Sequence, residues 1–474
     1  MIKLNRGPEF YKPLIALAVP LILQNIINNS HGLIDTFMVG GLGETELAAV
    51  TLGNNVFFML MLMMFGIQSG TGILISQYWG RKDTKTINRI LGLGFMVSGL
   101  ISAIFITIVI IAPRTVMSLM TPDAALIDVG VQYITSVAPA FVLNALTMIY
   151  LSAQRSMENA RIGLAVLLIS TISSTFLNYL LIYGSMGFPR MGVRGAALAT
   201  VIARCIEFGI VLGYALLNSR FKLRFKYILK PGEIISRDFA KYCIPVIINE
   251  TLWGFGVMLY PIIVGNMRSA ASSVAAYSIA LSIDRILSAA FFGVGTAAAV
   301  LIGKRLGEGK TGDEAYFYAK DMLKIIGVVG AAMGAFMAVL TTFVLKPFLF
   351  PLFNNISEET IRTAWLLILI SSCAMVFRSQ NYTIICGVLR GGGDVRAAAT
   401  IDVGFLYTIG LPLAYIFGLR LEMGVYMVFG AIFIEEVVKC VACQLRFRTR
   451  KWINNVTKEM YAQPPPSADC APSA

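Results

Sequence analysis

Charged residues are scarce in this chain of 474 residues: they make up 14% of it, against 57% hydrophobic residues. A soluble domain carries about 25% charged residues, so this balance excludes an ordinary soluble fold. Histidine occurs once, as His31. A single histidine excludes most membrane enzymes, because these use clustered His or Cys ligands or a nucleophile beside a base. We therefore expect no catalytic residues and no enzyme activity.

Nucleotide and disulfide motifs are also missing. The chain has no G-x-x-x-x-G-K-[ST] loop, so ATP-driven transport within it is not expected. The glycine-rich turn at 391–394 follows no predicted strand and is not a dinucleotide site. Seven cysteines are present, but no predicted outer loop carries a pair, which excludes a disulfide framework. The C-x-x-C spacing of Cys440 and Cys443 favours helix packing, and we expect no cofactor and no certain metal.

Long apolar stretches fill the rest of the chain. A hydrocarbon core of roughly 30 Å needs about 20 apolar residues for each crossing helix. We therefore predict an all-α polytopic membrane protein with twelve transmembrane helices, arranged as two six-helix bundles related by a pseudo-twofold axis. The predicted spans are 13–38, 47–78, 90–112, 126–151, 162–184, 193–217, 240–265, 272–303, 321–345, 361–388, 397–418 and 422–445.

Lysine and arginine residues are concentrated on one side of these spans. If both termini lie on one side, that side carries 29 of the 39 basic residues, and Arg390 and Lys439 are counted there. Basic loops mark the cytoplasmic side, so we predict that both termini are cytoplasmic and that the protein lies in the plasma membrane. The net charge of +13 then reflects topology and contact with anionic lipid, not nucleic-acid binding.

The two halves of the chain share a spaced pattern. Pro20 and Pro245 are 225 residues apart, Arg155 and Arg390 are 235 apart, and several glycine positions match in order. Ordered matches at drifting offsets indicate a duplication. Because six spans precede the basic linker, the halves would be parallel repeats with a substrate site between them.

This pattern divides the chain into four parts. We expect an N-terminal six-helix lobe at 1–217, a cytoplasmic basic linker at 218–239, a C-terminal six-helix lobe at 240–447 and a cytoplasmic tail at 448–474. The last residues of the tail, 463–474, are rich in Pro, Ala and Ser and should be disordered.

Polar residues of the first half fall at one depth in the outer third of their spans. Asp35, Asn178 and Thr200 can meet at that level, with Ser174 one turn below Asn178. His31 is four residues before Asp35 and hence on the same helix face. A carboxylate ringed by amide and hydroxyl groups can bind a proton or, through its oxygen ligands, Na⁺. We predict a cation-coupling site here, with a possible Na⁺ at Asp35, Asn178 and Thr200, whereas His31 is better explained by packing.

The second half carries both acids and bases near mid-depth. Charges inside a membrane cost at least about 2.5–3.5 kcal/mol each on insertion scales, so they need partners. We predict a charge cluster of Glu250, Arg378 and Asp284, in which Arg378 pairs with Glu250. Further pairs are expected within single helices, whereas one acid has no obvious local partner. The pairs are Arg204 with Glu207 and Lys439 with Glu435 or Glu436, and the unpaired acid is Asp402.

At these residues the chain resembles a multidrug and toxic compound extrusion (MATE) transporter of bacterial type, from about residue 13 to 447. The resemblance is carried by three segments. They are 18–20 leading to the Asp-Thr-Phe-Met-Val-Gly run at 35–40, the Gly-Ala-Ala-Leu-Ala-Thr run at 195–200, and the Gly-Val-Leu-Arg-Gly run at 387–391.

The resemblance implies a function and several roles. Such members export lipophilic, often cationic compounds in exchange for H⁺ or Na⁺, and Asp35 matches their first-helix coupling aspartate. Glu250 matches a glutamate that some members use for Na⁺, but Ser379 stands where those members carry an aspartate. Arg378 stands beside Ser379, and a cation next to Glu250 argues against Na⁺ in that lobe. Ser174 stands where the family commonly has Asn or Asp.

The sequence favours two other functions less. A channel is less expected than a carrier, since duplicated halves of one chain offer no ring of selectivity residues. The nearest rival is a lipid-linked oligosaccharide flippase of the same broad superfamily, which basic residues lining the central cavity would favour. The expected partners are a small lipophilic or cationic substrate and membrane lipid, with the protein acting as a monomer.

Overall fold

The computed structural model describes residues 7–218, 221–228, 230–268, 270–310, 312–349 and 357–457, and these residues are helical with no strand among them. The first half forms six long helical segments, α1 to α6. Their bounds are α1 Pro8–Gly40, α2 Glu44–Gly80, α3 Thr84–Ile111, α4 Ala124–Val137 with Ala140–Ser156, α5 Ala160–Tyr183 and α6 Gly192–Leu217.

The second half repeats this order with α7 to α12, which confirms the predicted fold class. The bounds are α7 Glu233–Gly265, α8 Ala270–Gly307, α9 Gly312–Leu345, α10 Glu358–Leu389, α11 Val395–Arg420 and α12 Val425–Arg448. Helix α7 begins seven residues before the predicted span at 240, so the end of the predicted linker is helical.

Ten helices of the described residues are long and apolar enough to cross a membrane. The two parts of α4, bent by 51° at their junction, pass the same test when taken together and would make an eleventh span. The twelfth predicted span is α12, 24 residues long. It is less apolar because it carries Glu435, Glu436 and Lys439, and these side chains find charged or polar partners inside the protein. Buried pairing of this kind lets a helix with several charges cross a membrane.

Local sequence sets where the helices start and bend. Asp83 caps α3 by accepting hydrogen bonds from the backbone N–H groups of Lys85 and Thr86, both at 3.1 Å, which satisfies donors that the first turn leaves free. Proline lies inside both leading helices, at Pro20 in α1 and Pro245 in α7. Each proline removes one backbone hydrogen bond and favours a kink at matching places in the two halves.

The helices of each half pack mainly on one another, and α1 and α2 meet α7 and α8 between the halves. We call residues 8–217 the first lobe and residues 233–448 the second lobe. The predicted domain boundaries themselves stay a prediction. The linker between them lies against α3, where Asn88 accepts a hydrogen bond from the Arg224 backbone N–H at 3.0 Å.

The lobes approach each other most closely at the end that carries the basic loops. A Cβ on Gly80 would lie 2.2 Å from the Lys304 carbonyl oxygen, and one on Gly307 would lie 1.8 Å from the Gln77 carbonyl oxygen. Only glycine permits such an approach of two helix backbones. An ion pair between the lobes, Lys304 Nζ to Glu158 Oε2 at 2.8 Å, lies at the same end.

The segment after α12 covers this junction. Gln77 of the first lobe is fully buried, and its Nε2 donates to the carbonyl oxygens of Gly391 at 3.1 Å and Asn454 at 3.3 Å. Its Oε1 accepts from the Val456 backbone N–H at 2.9 Å. Trp452 is also fully buried. The tail is therefore packed as far as residue 457, and the predicted disordered part, 463–474, lies outside the described residues.

Candidate functional site

A cavity of about 340 Å³ lies within the first lobe, between α1, α2, α4, α5 and α6. Its size falls in the range of about 300–1,000 Å³ typical of small-molecule sites. Polar side chains gather on it, and all four residues of the predicted coupling site are among them. The polar lining consists of His31, Asp35, Thr36, Thr51, Asn54, Tyr133, Asn144, Ser170, Ser174, Asn178, Thr200 and Arg204.

Asp35 and Asn178, which both line this cavity, are bonded to each other. Asn178 Nδ2 on α5 donates a hydrogen bond to Asp35 Oδ1 on α1 at 2.9 Å. The Asp35 side chain is 37% exposed, so it faces the cavity, whereas Asn178 is buried. Within the described part of the chain, Asn178 Oδ1 is buried without a hydrogen-bond partner. That oxygen is therefore available to a proton donor or a cation beside the carboxylate.

His31 lies one helical turn from Asp35, with its Nε2 3.5 Å from Asp35 Oδ2. This separation is longer than a normal N–H···O bond. Its Nδ1 is buried and has no hydrogen-bond partner among the described residues. The sole histidine thus lines the coupling cavity but is not tightly bonded to the aspartate.

Thr200 and Ser174 reach the same cavity without bonding to the carboxylate. Thr200 Oγ1 donates to the Ala196 carbonyl oxygen at 3.0 Å, one turn back on α6. This leaves the lone pairs of the hydroxyl available. Ser174 is buried on α5 one turn from Asn178. The structure thus brings the four predicted residues to one cavity, and the hydrogen bond between Asp35 and Asn178 is the contact that joins two helices.

Sequence reasoning did not single out Asn54 and Tyr133. Tyr133 Oη donates to Asn54 Oδ1 at 2.9 Å, and both line the cavity. The available signal was an asparagine within the long apolar run of α2, where a polar side chain needs a partner. Another part of the lining is aromatic, with Phe57 and Phe141 stacked at 3.8 Å between ring centroids.

Arg204 also lines the cavity, a position that the sequence did not predict. Its predicted partner, Glu207, is confirmed. Its guanidinium contacts the Glu207 carboxylate one turn along α6, and Ser170 Oγ donates to the same carboxylate at 3.1 Å. The positive charge is therefore neutralised locally. Asp35 remains the acid on the cavity lining.

The described residues of the second lobe form two charge clusters where one was predicted. In the first, Arg378 NH1 lies 2.6 Å from Asp284 Oδ1 and its Nε 3.9 Å from Glu436 Oε1. Arg378 and Asp284, two of the three residues of the predicted cluster, thus lie together. Glu250 belongs to the second cluster, where its Oε1 lies 2.5 Å from Arg390 NH1.

The predicted pair of Arg378 with Glu250 is therefore wrong. Arg378 and Arg390 stand twelve residues apart at α10 and its end, a separation of roughly 18 Å along a helix, so one of them at most can be level with Glu250. Arg390 was also counted among the loop residues, but it is 1% exposed. The glycine-rich turn that follows it packs against the buried tail, where the Asn454 backbone N–H donates to the Gly392 carbonyl oxygen at 3.0 Å.

The remaining charges join the second cluster. Asp402, which had no partner in the sequence, lies 3.4 Å from Lys439 Nζ and 3.9 Å from Arg390 NH2. Lys439 also lies 2.6 Å from Glu435 Oε1, which confirms the first of its two predicted partners. Lys439, too, is buried and not in a loop. Ion pairs of this sort keep the charges of α7, α11 and α12 neutralised within the lobe.

Comparison with known proteins agrees with this architecture. The uncharacterized transporter YisQ of Bacillus subtilis (strain 168) is 28% identical over 447 residues, which cover 93% of this chain and 94% of that protein. A structure showing the outward-facing conformation of a multidrug resistance MATE family transporter of the MOP superfamily matches with a TM-score of 0.84. It is 18% identical, over 96% of this chain and 98% of that one.

A second solved structure is a MOP superfamily transporter from Pyrococcus furiosus, for which a binding pocket of reverse polarity is taken to suggest a different function. It matches with a TM-score of 0.82 and 19% identity, over 94% of this chain and 97% of that one. The MatE family model matches residues 20–180 and again residues 245–416, one match in each lobe. With matches of this length in both halves of a multi-pass membrane protein, the chain belongs to the MatE family of transporters.

Proposed function

We propose that the protein is a secondary antiporter, not an enzyme, that exports lipophilic, often cationic compounds in exchange for H⁺ or Na⁺. The observation that carries the proposal is the Asp35–Asn178 hydrogen bond on the lining of a cavity large enough for a small molecule. Both termini would be cytoplasmic, the membrane would be the plasma membrane, and the working unit would be a monomer.

The cavity lining suits a lipophilic cation. The stacked rings of Phe57 and Phe141 supply apolar surface, and the Tyr133 ring adds a face that attracts positive charge. Asp35 supplies a single carboxylate at the same cavity. A site of this composition binds a planar or lipophilic cation through apolar contact area and charge together. It discriminates little between one such compound and another.

Antiport follows from competition for the same carboxylate. A proton on Asp35 removes the charge that attracts a cationic substrate, and the amide of Asn178 can then turn its oxygen toward the new O–H donor. Na⁺ would compete in the same way through oxygen atoms of Asp35, Asn178 and Thr200, which are ligands a hard cation prefers. Substrate and coupling ion therefore exclude each other, which is the requirement for exchange.

Alternating access would use the junction of the lobes. Backbone contacts at Gly80 and Gly307 close the basic end, which is the cytoplasmic end if the positive-inside rule holds. The described geometry then corresponds to a state closed to the cytoplasm. The kinks favoured by Pro20 and Pro245 would let the leading helices bend as the lobes rock.

The test is transport in proteoliposomes with the two gradients imposed separately. Uptake of a fluorescent lipophilic cation such as ethidium should follow either an imposed pH gradient or an imposed Na⁺ gradient and collapse when that gradient is dissipated. Absence of uptake with both gradients would contradict the proposal.

The second candidate is the lipid-linked oligosaccharide flippase of the same broad superfamily. Two arginines, Arg155 and Arg390, do lie in a smaller pocket between the lobes, where they could contact a diphosphate. The larger cavity instead carries Asp35 and a neutralised arginine, which favours export of cations. A vesicle flippase assay with a fluorescent lipid-linked sugar, run beside a drug-resistance assay, separates the two functions.

A further inference from the structure

A second pocket lies between the lobes at the basic end, and nothing in the antiport scheme uses it. It has a volume of about 80 Å³ and is lined by residues of α2, α4, α8 and α10. Roughly 15 Å³ of such volume holds one water, so the pocket has room for a small hydrated ion. We call it the seam pocket, and its polar lining includes Ser69, Ser76, Ser152, Arg155, Ser156 and Arg390.

The two arginines of the seam pocket are repeat partners with different surroundings. Arg390 of the second lobe is held by Glu250 at 2.5 Å. Arg155 of the first lobe donates to Ser152 Oγ at 3.1 Å, and no carboxylate of the described residues lies within ion-pair distance of it. The repeat explains the difference, because the position matching Glu250 at an offset of 225 is Asn25. The first lobe thus keeps the arginine and lacks its counter-ion.

The dipole at the carboxyl end of α4 does not fully neutralise the positive charge of Arg155. Arg155 stands in the last turn of the second part of α4, where the helix dipole supplies about half a negative charge. The half-buried guanidinium of Arg155 therefore keeps a net positive charge on the lining of the seam pocket. A charge in that position is costly unless an anion or other acceptors compensate it.

Arg390 contributes a second free donor. Its side chain is almost fully buried, yet its NH2 group has no hydrogen-bond partner in the part of the chain that the structure describes. The nearest carboxylate oxygen, on Asp402, is 3.9 Å away, too far for a hydrogen bond. Ser69 Oγ accepts from Arg390 NH1 at 3.4 Å, so its own O–H can donate elsewhere. Two guanidinium groups and a hydroxyl are the donor set that oxyanions prefer.

We propose that the seam pocket binds a phosphate-sized oxyanion, held by Arg155 of one lobe and Arg390 of the other. An anion shared by both lobes stabilises their contact at the basic end, so its binding favours the state closed on that side. The chemistry recognised is a phosphate group, either free inorganic phosphate or the headgroup of an anionic lipid. The proposal is independent of which compound the protein exports, because it concerns binding and not transport.

The experiment measures the thermal unfolding midpoint (Tm) of purified protein in a phosphate-free detergent buffer. Sodium phosphate is titrated against sodium chloride of matched ionic strength, and dihexanoyl phosphatidylglycerol is titrated in a separate arm. We expect a saturable rise in Tm of about 2 °C or more with phosphate or with the lipid, beyond the chloride control. A response to phosphate identifies a free-anion site, and a response to the lipid alone identifies a headgroup site.

Variants place the response in the pocket. Arg155→Gln should abolish the rise, whereas Arg155→Lys should keep part of it, because an ammonium retains the charge but not the planar pair of donors. Arg161→Gln is the matched control, since Arg161 is exposed near the same end of the first lobe and should respond as the wild type does. If Arg155→Gln is too unstable to study, Arg155→Lys with phosphorus NMR of bound phosphate gives the same comparison. No rise in the wild type, or an equal rise in all variants, would overturn the proposal.

Discussion

Breaking the buried Glu250–Arg390 pair should cost much of the protein's stability, and the two single changes should differ. Arg390→Gln leaves Glu250, whose side chain is 8% exposed, without its partner at 2.5 Å. Removing one member of a buried pair costs roughly 3–5 kcal/mol. Glu250→Gln should cost less, about 1–3 kcal/mol, because Arg390 keeps Asp402 at 3.9 Å as a second carboxylate.

The double variant carries the sharper test. With both charges replaced by glutamine amides, neither side chain remains a buried unpaired ion, so the loss should be smaller than the sum of the single losses by about 1–3 kcal/mol. Unfolding free energies can be measured in mixed micelles of increasing SDS content, followed by the fluorescence of the four tryptophans.

Arg378 provides the matched control. It is also an arginine of α10 that belongs to a charge cluster, although it is half-buried, and its partners are Asp284 and Glu436. Combining Arg378→Gln with Glu250→Gln should therefore give additive losses within about 0.5 kcal/mol. Strong coupling of Glu250 to Arg378, together with additivity between Glu250 and Arg390, would refute the pairing described here.

Three further outcomes follow from the geometry. Asn178→Ala should weaken gradient-driven transport only partly, because it removes a neutral donor worth about 0.5–1.5 kcal/mol; transport rates in vesicles check this, and complete loss would contradict it. Cys243 of α7 is fully buried where it packs against Gly70 of α2, so it reports on the contact between the lobes. Gln77→Ala removes three hydrogen bonds at the junction of the lobes, so Cys243 should react with a thiol reagent roughly tenfold faster or more, a factor that corresponds to about 1.4 kcal/mol. An unchanged rate by mass spectrometry would show that Gln77 does not hold the junction closed. A cysteine introduced by Lys226→Cys into a chain without other cysteines should react with an impermeant reagent only after the cells are opened, and labelling of intact cells would overturn the proposed topology.

The depth of a residue along a helix could be read from the sequence, and the coupling cavity shows it. Asp35 and Asn178 lie on different helices and far apart in the chain, yet counting residues from the predicted span ends placed them at one level. A helix rises by 1.5 Å per residue, so position along a span converts directly to depth. The structure joins the two side chains by a hydrogen bond of 2.9 Å.

The rotation of each helix about its axis and the packing of polar segments could not be predicted from the sequence in the same way. Arg390 follows the last apolar residue of its span, so hydropathy assigned it to a loop, although it is almost fully buried. Its burial depends on the glycine turn after it and on the tail segment around Trp452, which has no apolar period to mark it as packed. The hydrogen bonds of Gln77 likewise join residues more than 300 positions apart. Contacts of that range leave no local pattern in a single sequence.

The most direct test of the account is gradient-driven transport by the Asp35→Asn variant. The change keeps the size of the side chain and its contact with Asn178 but removes the group that can take up a proton or attract a cation. Asp128→Asn is the matched control, because Asp128 is an exposed residue of the same lobe that pairs with Arg114 away from the cavity. In proteoliposomes, the account predicts that Asp35→Asn abolishes exchange while Asp128→Asn transports as the wild type does. Full transport by Asp35→Asn would contradict the central claim that this carboxylate couples the ion to the substrate.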